Sequence, residues 1–200
     1  MPKKIILVRH GQTDFNLRQI LQGHLDAFLT VKGLAQAKKV ANKLVHEEID
    51  IIISSDLKRA YHTALTIGCR INKKVITTSL LRERCYGEFQ GKTTEEIQKL
   101  VWSFGFENEE LNSSVEKKSE AFGVENNKEM KVRLRKLLQQ IKKYRNKTIV
   151  LVTHAGTIKQ FLKLFHHDLK GKIKNTECFY LEKNKDGNYL FGFFPIFNPA

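Results

Sequence analysis

The chain has 200 residues, 41% of them hydrophobic and 28% charged. That balance suits one domain with a sizeable core and excludes wholesale disorder. No apolar run approaches the ~20 residues of a membrane-spanning helix. The cysteines Cys69, Cys85 and Cys178 are odd in number and far apart, which argues against a disulfide scaffold or a zinc knuckle.

The net charge of +14 raises nucleic acid, an anionic membrane surface or acidic small substrates as partners. The lysines are dispersed, however, in pairs such as Lys38-Lys39, Lys73-Lys74, Lys117-Lys118 and Lys142-Lys143. They read as a solvated surface, with no basic arm and no interleaving of aromatic and basic residues. Neither nucleic acid nor membrane is therefore expected as a partner. The apolar stretch before Arg9 falls short of the about 7 residues a signal peptide needs, so the cytoplasm is the expected location.

Taken in chain order, Lys4 to Val8 (KIILV) reads as a buried strand bounded by charge. Thr30 to Val45 follows as an amphipathic helix, with Thr30 as its cap and Leu34, Ala37, Ala41 and Leu44 on one face. Ile49 to Ile53 is a second β-branched strand. Leu57 to Cys69 is a helix expected to be capped by Ser55 or Asp56. Val75 to Thr78 is a short strand, and Thr94 to Phe104 a helix capped by Thr93.

Gly105 to Asn127 is polar and irregular and reads as a loop or lid. Lys128 to Tyr144 is a long helix whose apolar face carries Met130, Leu134, Leu137, Leu138 and Ile141. Thr148 to Val152 is the third buried strand, and Gly156 to Phe165 opens another helix. Glu177 to Leu181 and Tyr189 to Phe193 form a hairpin around Lys185-Asp186-Gly187-Asn188. Strands alternating with helices imply a three-layer α/β/α sandwich with a mainly parallel central sheet. A single domain over 1–200 is expected, with the lid or insertion at about 100–127.

Ligands of open parallel sheets bind beyond the carboxyl ends of the strands. Three strands here end in reactive groups: Arg9-His10-Gly11, then Ser55-Asp56 with Arg59 on the following helix, and Thr153-His154-Ala155-Gly156. In one sheet they would direct two arginines and two histidines into one crevice. Guanidinium forks suit phosphate oxygens, and a neutral histidine is a nucleophile. A phosphoryl group is the natural guest. His10, His24 and His154 lack the spacing and carboxylate company of a metal triad, so neither a metal nor another cofactor is expected.

Four segments carry a family resemblance. They are Arg9-His10-Gly11-Gln12-Thr13 with Asn16; Ser54-Ser55-Asp56-Leu57-Lys58-Arg59-Ala60 with Thr63-Ala64; Leu81-Arg82-Glu83-Arg84-Cys85-Tyr86-Gly87-Glu88-Phe89-Gln90-Gly91; and Val152-Thr153-His154-Ala155-Gly156. Together and in this order, over about residues 4–165, they resemble the histidine phosphatase superfamily, in its phosphoglycerate mutase-like branch. The resemblance implies that His10 becomes a phosphohistidine. It makes Arg9, Arg59 and His154 the groups that hold the phosphoryl oxygens, and Glu83 the general acid and then base. Glu88 and Asp56 stand as rivals for the acid role.

Asn16, Gln22, Gly23 and Ala155 join Arg9 and Arg59 as substrate-binding candidates. Tyr86 and Phe89 read equally as core or wall and as substrate contacts. Glu125 resembles part of the family's Gly-Glu-Ser segment, with Asn126 in place of the serine. His24, His46, His62, His166 and His167 receive no role. The expected activity is a phosphomonoesterase acting on a small phosphorylated metabolite. The alternatives are a cofactor-dependent phosphoglycerate mutase and a phospho-ligand-binding pseudo-enzyme. Against a mutase, residues 100–125 contain no arginine to clamp a held substrate. The C-terminal aromatics Phe191, Phe193, Phe194 and Phe197 are candidates to cover the sheet edge or a partner, a homodimer among the options.

Overall fold

The apolar runs bounded by charge become the strands of one sheet. In the computed structural model, which describes residues 1–103 and 122–194, these are β1 (Lys4–Arg9), β2 (Ile51–Ser55), β3 (Val75–Thr78), β4 (Thr148–Thr153), β5 (Cys178–Lys183) and β6 (Tyr189–Phe193). Their order is β3-β2-β4-β1-β5-β6. The first four are mutually parallel, with Arg9 level with Thr153 in the β1–β4 register. β5 and β6 run antiparallel and close the sheet beyond β1. β1 and β4 are therefore interior strands, and the segments that follow them emerge side by side.

Alternation along β1 assigns the two faces. Ile5 and Leu7 join one apolar cluster with Leu134 and Leu137 of a helix over Asn127–Ile141 and Ile158 and Phe161 of a helix over Ala155–Lys163. Ile6 and Val8 join the opposite cluster, with Val40 and Leu44 of the helix Val31–Leu44 and Ala60, Ala64 and Ile67 of the helix Lys58–Ile71. With the one-turn helix Asp14–Leu17 as α1 and Thr94–Ser103 as α4, the helices number α1 to α6 in chain order. α2 and α3 cover one face and α5 and α6 the other, which is the three-layer arrangement. Among the described residues no helix is long and apolar enough to cross a membrane.

A third apolar cluster lies off the sheet. Phe89, Ile97, Val101, Phe122 and Val124 pack together, with Tyr86 beside them. Of the expected lid, 104–121 falls outside the described residues. Phe122 to Asn127 is ordered by an isolated bridge from Tyr86 to Val124 and by a capping box at the start of α5.

Several element ends differ from the sequence reading. Thr30 caps α2 as expected, its hydroxyl accepting from Gly33 N. α3 starts at Lys58 with Leu57 as N-cap and no side-chain cap. Ser55 Oγ instead accepts from Leu57 N at 3.3 Å, while the Asp56 carboxylate is drawn to Arg82. α5 stops at Ile141 rather than Tyr144, because the chain then turns toward Asn146, which has φ +60°. α6 closes at Lys163, and its last turn tightens through Phe165 N to Leu162 O. α1 was not expected at all; it is only four residues long and buries no side chain. Of the C-terminal aromatics, Phe191 packs against the core cluster of α5 and α6, while Phe193 is 58% exposed and Phe197 lies outside the described residues.

Candidate active site

Glycine is what allows the loop after β1 to reach its place. A Cβ at Gly11 would lie 2.5 Å from Gly33 O, and one at Gly33 only 2.1 Å from Gln12 O. The backbone of the loop after β1 thus rests directly on the first turn of α2. Gly11 N donates to Thr63 Oγ1, and that hydroxyl donates to Arg59 O. The motif after β1 and the motif on α3 are joined through this one threonine.

His10 is 3% exposed and lies beside the fully buried His154, with ring centroids 5.1 Å apart. Its Nδ1 lies 2.7 Å from Gly11 O. A carbonyl can only accept, so Nδ1 carries the ring proton and Nε2 presents a lone pair. Burial, then the charges of Arg59 and Arg9, hold its pKa well below the usual histidine range. The neutral, nucleophilic form is thereby favoured at neutral pH. His154 is likewise held neutral, by burial first and then by the charge of Arg59. Its Nδ1 accepts from Arg59 Nε at 3.2 Å, so its proton sits on Nε2 and faces Ser55 Oγ at 3.0 Å.

Arg59 is 1% exposed. Its guanidinium donates to Leu25 O, to Gly23 O (both 2.7 Å) and to His154. Burial lowers its pKa to about 10, so it stays cationic at neutral pH. Arg9 donates from Nη1 to Ile173 O. Buried polar groups are normally paired. Among the described residues two buried side-chain atoms have no partner, Arg9 Nε and Gln22 Oε1, and both belong to residues already singled out as ligand contacts.

Glu83 reaches the N-terminus of α6. Its carboxylate accepts from Gly156 N at 3.1 Å and from Arg84 N at 2.9 Å. It acts electrostatically on both Arg9 and Arg59. Neither rival for the acid role is arranged in this way. The Asp56 carboxylate is held by Arg82 through two hydrogen bonds, which keep its pKa below the usual range. Glu88 sits in a 3-10 turn whose buried residue is Phe89.

The structure thus brings together Arg9, His10, Arg59, Glu83 and His154, with Gly23 as a partner of Arg59 and Gln22 buried next to it. Ala155 opens α6 directly after His154. Asn16 is engaged in the capping box of α1, and its Oδ1 also accepts from Asn175 Nδ2. Tyr86 and Phe89 belong to the third apolar cluster.

Three residues at the site had no signal in the sequence. His24, read there as without a role, lies 2.8 Å from Glu83 O through Nε2. Asn175 also donates to His10 O. Arg133 binds the Glu125 carboxylate and the carbonyls of Leu80 and Glu83.

This constellation lies beyond the carboxyl ends of parallel strands, where ligands of such sheets bind. Residues 5–189 match the profile of the histidine phosphatase superfamily (branch 1), and the chain belongs to that family. It is a phosphatase enzyme. A metal-independent phosphoserine phosphatase of Arabidopsis thaliana is 34% identical over 183 residues, 86% of this chain and 73% of that protein. The phosphoglycerate mutase-like protein 4 of the same plant is 36% identical over 161 residues, 78% of this chain and 68% of that one. The native structure of a mycobacterial glucosyl-3-phosphoglycerate phosphatase is similar with a TM-score of 0.81 at 25% identity, over 96% of this chain and 98% of that one.

Proposed function

We propose that the protein hydrolyses a small phosphorylated metabolite in two steps through a phosphohistidine on His10. The observation that carries this reading is the protonation of His10. Its proton is committed to Gly11 O, and its Nε2 has no hydrogen-bond partner among the described residues, in a pocket where burial and then the charges of Arg59 and Arg9 keep it neutral.

In the first step Nε2 attacks phosphorus and the bond to the ester oxygen breaks. Glu83 delivers its proton to that departing oxygen. Arg9 and Arg59 meet the charge on the phosphoryl oxygens, in positions already set before substrate arrives. In the second step a water attacks phosphorus, its proton passes to the Glu83 carboxylate, the P–N bond breaks, and inorganic phosphate leaves. His154 supports both steps by orienting Arg59 through Nδ1. Splitting the reaction at a covalent intermediate exchanges one difficult step for two easier ones.

Relatives named for phosphoserine and for glucosyl-3-phosphoglycerate support a substrate that is a small alkyl phosphate. Three unpaired cysteines support work in a reducing compartment such as the cytoplasm, and the single six-stranded sheet supports one domain. A phosphorus NMR time course with O-phosphoserine and 3-phosphoglycerate tests the reading. Free phosphate should appear with the wild type and be absent with His10→Ala. Exchange of 2- and 3-phosphoglycerate signals without phosphate release would make the enzyme a mutase. Unchanged turnover by His10→Ala would remove the phosphohistidine from the mechanism.

A further inference from the structure

The turn that carries Glu83 follows a single 3-10 turn over Ser79–Leu81 and belongs to no strand ladder. It is held by its carbonyls. Leu80 O accepts from Arg133 Nη1 at 2.9 Å, Leu81 O from Thr153 Oγ1 at 2.6 Å, and Arg82 O from Thr157 Oγ1 at 2.7 Å. Glu83 O receives two groups, Arg133 Nη2 at 3.3 Å and His24 Nε2 at 2.8 Å. Four consecutive carbonyls are pinned by side chains from α5, β4, α6 and the loop around Gly23. A single residue, Arg133, holds both ends.

Arg133 is itself fixed. Its Nε and Nη2 grip the Glu125 carboxylate at 2.5 and 2.9 Å, and both partners are largely buried. Glu125 is in turn tied to the strand of chain just after Glu83. Its N donates to Cys85 O at 2.8 Å, and Arg84 Nη1 donates to Glu125 O. Planar, permanently charged guanidinium is suited to this task, since it can span a carboxylate and two carbonyls at fixed angles. Lysine offers no such fork.

The geometry points to Arg133, backed by Glu125, as the positioning residue for the general acid. It sets where the Glu83 carboxylate meets the departing oxygen and touches no substrate itself. The inference rests on Glu83 as the acid. Its signature is selective. A displaced acid matters for an alkyl ester, whose leaving oxygen must be protonated, and hardly at all for an aryl ester, whose phenolate leaves unaided. A loss of general structure would slow both.

The test compares kcat/KM for O-phosphoserine and 4-nitrophenyl phosphate in the wild type, Arg133→Met and Glu83→Gln, with a thermal melt of each. Arg133→Met should lose about 10²-fold on O-phosphoserine, the cost of roughly 1 Å of misplacement. On the aryl ester it should stay within about threefold of wild type, and Glu83→Gln should show the same pattern. If Arg133→Met slows both esters equally, or neither, while Glu83→Gln keeps the pattern, the positioning role is overturned and the acid assignment stands. If Glu83→Gln lacks the pattern, the acid assignment falls and the role of Arg133 with it. Should the methionine variant melt below the assay temperature, Arg133→Lys carries the test, with about a tenfold selective loss on the alkyl ester.

Discussion

Gly156→Ala separates the chemistry of this site from its stability. A Cβ at Gly156 would lie 2.5 Å from Glu83 Oε1 and 3.3 Å from Cδ. Ordinary contact begins near 3.4 Å, so the carboxylate must retreat by the difference, 3.4 − 2.5 = 0.9 Å. The obstacle is the end of a flexible side chain, so the backbone need not move. Alanine in place of glycine on the first turn of α6 also favours the helix, by at most about 1 kcal/mol.

The variant should therefore melt at or slightly above the wild-type temperature. A shift of this size at a proton-transfer distance costs on the order of 10²-fold in rate. The loss should appear in kcat/KM for O-phosphoserine and be small for 4-nitrophenyl phosphate. The assay is phosphate release with each ester beside a calorimetric melt. Full activity on O-phosphoserine would refute the reasoning, because it would mean that the carboxylate at α6 is not the one that protonates the leaving oxygen. A fall in melting temperature of several degrees would refute it differently, by showing that the backbone yields instead.

Gly33→Ala has no such escape, since its Cβ would meet the backbone oxygen of Gln12 at 2.1 Å. We expect about 2–3 kcal/mol of lost stability, seen as a melting temperature roughly 4–12 °C lower, and an unchanged melt would disprove the contact. His10 and His154 are buried neutral, with folded-state pKa values below the unfolded value near 6.5. Their contribution is complete above that value and is lost as pH falls toward the depressed folded values, by up to about 1.4 kcal/mol per pH unit for each ring. Melting temperature should drop between pH 6.5 and pH 5, less steeply in His10→Asn, and parallel slopes for the two proteins would contradict this. Arg59→Lys keeps a charge but loses the fork that joins Gly23 O, Leu25 O and His154. It should lower kcat/KM about 10²-fold or more and weaken inorganic phosphate binding by titration, whereas near-native values would leave Arg59 as a bystander.

How far the sequence carries depends on the distance over which each feature is encoded. The buried strands are legible because β1 and β4 are apolar runs four or five residues long with charge or a turn at their ends. The cap of α2 is legible because Thr30 and Gly33 are neighbours in the chain. The start of α3 misleads because two good capping residues, Ser55 and Asp56, are drawn into other work by Leu57 N and by Arg82. His10, Arg9, Arg59, Glu83 and His154 lie within short, ordered motifs and could be named at once. His24 could not, since its partner is 59 residues away and nothing near it in the chain is periodic. Arg133 is hidden more thoroughly. It sits in a helix rich in lysine and arginine, where one more basic residue looks like surface, and only folding sets it against Glu125 and the turn around Glu83. Asn175 lies outside the four motifs, yet it ties His10 O to Asn16.

The position of β1 has a consequence for how the two halves of the reaction withstand partial unfolding. β1 is bonded to β4 on one side and β5 on the other, and His10 N continues that pattern to Thr153 O. Amides of such a strand exchange with deuterium only on global opening, whereas a turn held by side chains opens in smaller, cheaper fluctuations. His10, the proposed nucleophile, therefore belongs to the last part of the molecule to yield, and Glu83, the proposed acid, to a part that opens before it. In mild denaturant the enzyme should pass through a range where it still transfers a phosphoryl group from 4-nitrophenyl phosphate to His10 but no longer cleaves an alkyl ester. Its selectivity between leaving groups would then act as a gauge of local order around Glu83.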